Sequence, residues 1–307
     1  MATDYVLFVH GVKQRQPEEF NRTTQELLQN VQRSIGNNGR TIKPIVVFWG
    51  DLNVQPQANL RQGLEASPQW RNLWLTDFRI REVVEFAGDA ALYLSRHVGA
   101  QVVQRFQQIA LPILQGAEPS GGDRLHIVTH SLGSVILFDL LFATRWDDPS
   151  LDKDASTRQT RQTVTQLRNT LFGLGQEPGR GIHISSVHTL GSPIALFSLL
   201  SVTGDSTHDL TKDLRAMLQT LYHQRGKKAL PWYNYMHPGD PIAYPLQGLM
   251  PRLMGNAQLY VHLRDVVTEH HGLPITWGRL PLLWGGDAHS GYWKSSTVVK
   301  TLTEVLR

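Results

Sequence analysis

Leu125-His126-Ile127-Val128-Thr129-His130-Ser131-Leu132-Gly133-Ser134-Val135-Ile136-Leu137-Phe138-Asp139 changes its period part-way along. The first half is a short apolar run rich in β-branched residues, bounded upstream by Pro119-Ser120-Gly121-Gly122-Asp123, and it reads as a buried strand. The second half carries Val135, Leu137, Phe138, Leu140 and Leu141, runs on through Ala143 and Thr144, and is too long for a strand. It reads as a helix that ends in the polar segment after Trp146. Ser131 sits on the joint. The plainest role for it is to cap the helix, since serine is a favoured N-cap. The other role is chemical: on a sharp strand-to-helix turn, backbone strain pushes a serine hydroxyl out of the fold. Gly133 supplies the small residue such a turn needs after the serine. Thr129 stands where a glycine is usual before it, and a β-branched residue fits a strand end without positive φ.

Upstream, Tyr5-Val6-Leu7-Phe8-Val9 reads as a fully buried strand running into His10-Gly11-Val12. Phe20, Leu27, Leu28, Val31 and Ile35 share one helical face between Pro17 and Ile35, closed by Gly36-Asn37-Asn38-Gly39. Ile42 to Trp49 is the next strand, with Pro44 suited to an edge. Strand, helix, strand predicts a parallel sheet. Asp51 lies just past that strand, where open α/β sheets collect functional residues. Residues 52–79 have little periodicity but several large apolar side chains, and read either as a cap or lid or as a loop packed on the core. From Ile80 to Leu114 the spacing is helical, with a break expected around Gly99.

Downstream, residues 147–176 are polar and read as a solvent-facing excursion with a helix over Val164 to Phe172. Gly181 to Leu190 is a strand closed by Gly191-Ser192-Pro193; Ser192 is a second candidate nucleophile. His183 and His188 within it read as sheet residues facing a helix or solvent. Helices follow over Ile194 to Val202 and Leu210 to Tyr222, then an aromatic strand, Trp232 to Met236. His237-Pro238-Gly239-Asp240-Pro241-Ile242 comes next, a rigid turn that either forms an Asx-turn or holds the Asp240 carboxylate for a histidine. The Met-bearing segment Tyr244 to Asn256 either lines an acyl pocket or packs as a loop. Leu259 to Leu263 is the last strand. Glu269, His270 and His271 make a poor metal site, because adjacent side chains point apart. The chain closes with Asp287-Ala288-His289-Ser290-Gly291-Tyr292-Trp293 and a helix bearing Val298, Val299, Leu302, Val305 and Leu306. Asp287 is a further rival to Asp240 or a helix cap.

Thr-His-Ser-Leu-Gly at 129–133, His-Gly after the first strand, Gly-Asp-Pro after a late strand and a terminal loop histidine together resemble the α/β-hydrolase superfamily, in its lipase-like serine esterase form. The resemblance covers nearly the whole chain. It implies a mostly parallel sheet of about six strands flanked by helices in a single domain, 1–307, with the family's usual first hairpin missing; residues 52–79 keep both readings, cap or lid insertion or packed loop. It implies Ser131 as nucleophile, Asp240 as acid and His289 as base, in that family's chain order. It also implies an oxyanion hole from the backbone N–H groups of Leu132 and of Val12, or of Gly11 if the loop curls differently. His10 then braces the loop, and Tyr292 and Trp293 pack beneath His289. No metal or organic cofactor is required by this chemistry.

With 307 residues, no repeat and no low-complexity linker, one α/β domain is favoured. The net charge is only +4 and the basic residues are scattered, which gives no case for nucleic acid but allows a transient contact with an anionic membrane surface. The chain contains no cysteine, so disulfides and thiolate catalysis are excluded. Met1-Ala2-Thr3-Asp4 lacks the positive start of a signal peptide, and no stretch has the length of a membrane span, so a cytoplasmic protein is expected. The apolar insertions favour an acyl-lipid or similar ester substrate. The rival expectation is a noncatalytic hydrolase-fold protein that binds a lipid or protein partner. Oligomeric state is not legible at this level.

Overall fold

The computed structural model describes residues 1–118, 121–172, 182–197, 214–269 and 288–307. At its centre is a six-stranded parallel sheet in the order β2-β1-β3-β4-β5-β6. Its strands are β1 (Thr3–Val9), β2 (Thr41–Val47), β3 (Arg124–His130), β4 (Ile184–Leu190), β5 (Leu230–Met236) and β6 (Val261–Val267). The longer helices are α1 (Pro17–Ile35), α2 (Val54–Ala66), α3 (Glu85–Leu94), α4 (Arg96–Gln115), α5 (Leu132–Phe142), α6 (Ala155–Phe172), α7 (Leu214–Gln224) and α8 (Ser296–Leu306). A parallel sheet of six strands flanked by helices is the architecture expected from the sequence.

Successive side chains on a strand point to opposite faces, so β1 feeds two cores. Tyr5, Leu7 and Val9 join α4, α5, α6 and α7 on one face; Val6 and Phe8 join α1 and α8 on the other. That double burial is why β1 reads as an unbroken apolar run. β2 lies at one edge of the sheet and tolerates Pro44 for that reason.

A row of polar side chains crosses the α1/α8 face. Asp4 accepts two hydrogen bonds from Arg40, at 2.8 and 2.6 Å, and two from Arg124, at 2.8 and 3.0 Å. Burial pushes the Asp4 carboxyl up, but His126 and the two arginines outweigh it and hold it far below the usual carboxylate range. His126 Nδ1 is 2.8 Å from Ser186 Oγ, which is 2.9 Å from His188 Nε2, whose Nδ1 is 2.9 Å from the Tyr235 hydroxyl. His188 thus faces the α1/α8 layer, as its place in the strand suggested.

Several sequence expectations shift. The break in the 80–114 run falls at Ser95, whose hydroxyl caps α4 by accepting from Val98 N at 3.2 Å. Gly99 instead lies inside α4, where a Cβ would come within 3.1 Å of Tyr93 O. Residues 147–172 are not a solvent-facing excursion. α6 buries Thr160, Thr163, Val164, Leu167, Arg168, Leu171 and Phe172, and Arg168 donates to Leu140 O and Ala143 O at the end of α5. The Met-bearing segment packs into the core through Leu246, Met250 and Met254, as its loop-packing reading expects. The last strand starts later than expected, at Val261. Helical expectations over 198–202 and 210–213 lie outside the described residues, as do His270, His271 and Asp287. Among the described residues no helix is long and apolar enough to cross a membrane.

Candidate active site

β1, β3, β4 and β5 end in step: Val9 pairs with Thr129, His130 with Leu190, and Leu190 with Tyr235. Their following loops therefore emerge side by side. β1 and β3 are neighbours, yet α1 and α5 after them go to opposite faces, which opens a crevice between their loops.

Ser131 stands in that crevice with φ 51° and ψ −127°, a conformation costly for any residue with a Cβ. Its N–H donates to Leu190 O at 2.9 Å. Its side chain makes no capping bond to α5, and Oγ is buried without a hydrogen-bond partner among the described residues. Capping therefore does not explain this serine. Gly133 is forced: a Cβ there would lie 2.5 Å from the carbonyl oxygens of both Val9 and His10. Thr129 keeps a strand conformation, so the glycine it replaces is not needed.

The loop after β1 touches the serine. A Cβ on Gly11 would fall 2.4 Å from Ser131 Cβ and 3.1 Å from Oγ. Val12 is half-buried beside it, and Leu132, which follows the serine, is buried. His10 braces the loop as expected. Its Nε2 accepts from Trp49 N at 3.0 Å and Gly50 N at 3.2 Å, so Nδ1–H donates to Gly11 O at 2.6 Å. The ring stacks on Trp49 at 5.0 Å.

Asp240 follows β5 and is buried. Its Oδ2 accepts from His289 Nδ1 at 2.8 Å and from the Tyr292 hydroxyl at 2.7 Å, and Oδ1 accepts from Ile242 N at 3.0 Å. Burial pushes this carboxyl up, but the His289 contact, Ile242 N–H and Tyr292 together bring it below its ordinary value. With Nδ1 donating, His289 Nε2 carries the lone pair; that atom is buried and has no partner among the described residues. No Ser131–His289 hydrogen bond is made in this state. Gly191, at φ 57°, lies against the pair: a Cβ there would be 2.9 Å from Asp240 Oδ2 and 3.1 Å from His289 Nδ1.

The described rivals are engaged in other contacts. Asp51 is ion-paired with Arg105. Ser192 is buried, with Oγ taken up by Ser134 Oγ at 2.8 Å and Ile194 N at 3.3 Å. Glu269 caps α8, binding Ser295 Oγ at 2.7 Å and the Ser296 N–H. Tyr292 holds Asp240, and Trp293 packs on Phe8, Phe20 and His130. His130 was not foreseen: its Nε2–H donates to His289 O at 2.6 Å, with the two rings 4.8 Å apart. Only its place next to Ser131 could have pointed to it.

Burial pulls both His10 and His130 down to about 3. The unfolded chain takes up these protons near pH 6.5 and the folded chain refuses them until about pH 3. Each group therefore removes about 1.4 kcal/mol of stability per pH unit across that window. The melting temperature is expected to fall steeply between pH 6.5 and 4.5; a flat profile there would contradict neutral burial of both rings.

No family model matches the chain. Among curated proteins, phospholipase DDHD1 of Bos taurus and of Homo sapiens are each 24% identical to it over 167 residues. The match covers 44% of this chain and 17% of theirs. Among solved structures, the dienelactone hydrolase from Anabaena variabilis aligns with a TM-score of 0.36 at 11% identity, over 99% of this chain and 85% of its own.

Proposed function

We propose that the chain is a serine hydrolase that cleaves carboxylic esters through an acyl-enzyme intermediate, with acyl lipids as the substrate class. The observation that carries this reading is the strained, uncapped Ser131 with its unpartnered Oγ, on the same sheet edge as a histidine already paired to a buried carboxylate. His289 Nε2 takes the Ser131 proton as Oγ attacks the ester carbonyl. Asp240 keeps the imidazole in the right tautomer and stabilises the imidazolium. The backbone N–H groups of Leu132 and Val12 receive the tetrahedral oxyanion, with Gly11 giving the close approach. The imidazolium gives that proton to the departing alcohol as the ester C–O bond breaks; the neutral imidazole then takes a proton from water as it attacks the acyl-enzyme, and returns it to Ser131 Oγ as the acid leaves.

The lipid class is supported by the surface and by the similarity to a phospholipase over part of the chain. Residues 52–79 expose Leu60, Leu73, Trp74 and Leu75, the last two at 87% and 72%. These side chains suit a cap that meets acyl chains or a membrane surface.

A fluorophosphonate probe is expected to label Ser131 stoichiometrically, and chromogenic esters of rising chain length to show a preference for longer acyl groups. An inert protein in the first assay would favour the noncatalytic, binding-only role instead.

A further inference from the structure

The loop after β1 is held from outside. Lys13 sits at φ 64°, a backbone region that residues with a Cβ enter only when their surroundings impose it. Its N–H donates to Asp89 Oδ2 at 2.8 Å. Asp89 belongs to α3 and is 0% exposed. Its other oxygen accepts from Arg15 Nη2 at 2.8 Å, Asn53 Nδ2 at 2.8 Å and Gln57 Nε2 at 2.7 Å. One buried carboxylate thus gathers donors from the loop, from the turn at Gly50–Asn53 and from α2. The loop is confined on its other flank too, since a Cβ on Gly50 would fall 1.7 Å from Gln14 O.

We propose that Asp89 is a positioning residue for the oxyanion loop: by fixing Lys13 it aims the neighbouring Val12 N–H at Ser131, and it ties that loop to the 52–79 insertion. The inference rests on the reading of Gly11 and Val12 as the oxyanion loop. All four partners of Asp89 are donors, which only an ionised carboxylate satisfies fully. An amide in its place turns a donor toward donors while keeping the shape. The loop then loses its anchor although substrate contacts stay intact.

In the full chain, Asp89→Asn is expected to lower kcat by about 10- to 100-fold, less than the loss of a whole oxyanion donor. KM should stay within about threefold, and amide exchange at residues 11–14 should quicken. Gln57→Ala removes an insertion-side partner and leaves the Lys13 bond, so kcat should stay within about threefold. If Asp89→Asn does not fold, Lys13→Val and Lys13→Gly replace it: valine resists φ 64° and should lose kcat by the same order, and glycine should keep it. A folded Asp89→Asn protein with unchanged kcat and unchanged exchange overturns the proposal. So does a Gln57→Ala protein as impaired as Asp89→Asn, which would reduce Asp89 to a fastening for the insertion. Failure of the wild type to react with fluorophosphonate instead removes the hydrolase reading, and the exchange measurement still decides whether Asp89 holds the loop.

Discussion

Ser131→Ala and Ser131→Gly are both expected to lower ester turnover by about 10⁴-fold or more, the scale of losing a serine nucleophile, yet to differ in stability. Alanine keeps a Cβ and so keeps the cost of φ 51° and ψ −127°. Glycine enters that region freely and sheds a strain of about 1–3 kcal/mol, partly offset by about 0.5–1 kcal/mol from its freer unfolded chain. The Ser131 side chain makes no hydrogen bond that either change would remove. The net difference is about 0–2.5 kcal/mol, so the glycine variant should melt up to about 4 °C above the alanine variant. A glycine variant that melts below the alanine variant would mean the turn is not strained, and near-normal turnover in either would exclude Ser131 as the nucleophile.

Asp240→Asn is the second large effect. An asparagine at this position can present its NH₂ group to His289 Nδ1, which then has to accept, and the tautomer with a free Nε2 lone pair is lost. A fall in kcat of about 10³- to 10⁴-fold is expected, with KM little changed. Tyr292→Phe removes the 2.7 Å bond to Oδ2 and the acceptor of the His237 N–H at 2.8 Å, and leaves His289 and Ile242 N in place. It should cost about tenfold or less, in line with one neutral donor to a carboxylate. Because the Asp240 carboxyl lies below its ordinary value, its own protonation does not limit the rate above about pH 4. An Asp240→Asn enzyme that retains kcat would assign the pair at 2.8 Å a structural role only.

Much of the framework was legible because the strands that decide it are buried on both faces. Tyr5–Val9 and Leu125–Val128 announce themselves as apolar runs, and their spacing around helical stretches yields a parallel sheet. Ser131 and Asp240 were legible as candidates because one stands at a strand-to-helix joint and the other in a rigid turn, and His289 only through the resemblance of its terminal loop. The contacts around them were not. Asp89 reads as an ordinary polar residue of an amphipathic helix, and nothing nearby in sequence shows that Lys13, Asn53 and Gln57 converge on it. α6 was misjudged because its inward face carries Thr160, Thr163 and Arg168 among the aliphatic residues, which hides the period. The break at Ser95 carried a usable serine cap signal that the more obvious Gly99 masked.

The linked side chains Asp4, His126, Ser186, His188 and Tyr235 run across four neighbouring strands, β1, β3, β4 and β5. If β4 slid by one residue against its neighbours, Ser186 and His188 would swing to the opposite layer, and His126 Nδ1 and the Tyr235 hydroxyl would lose the partners they have on β4. Wrong alignments are thereby penalised more heavily than aliphatic strands alone could manage. Mispaired sheets should stay too poorly ordered to compete with the one alignment in which this chain closes.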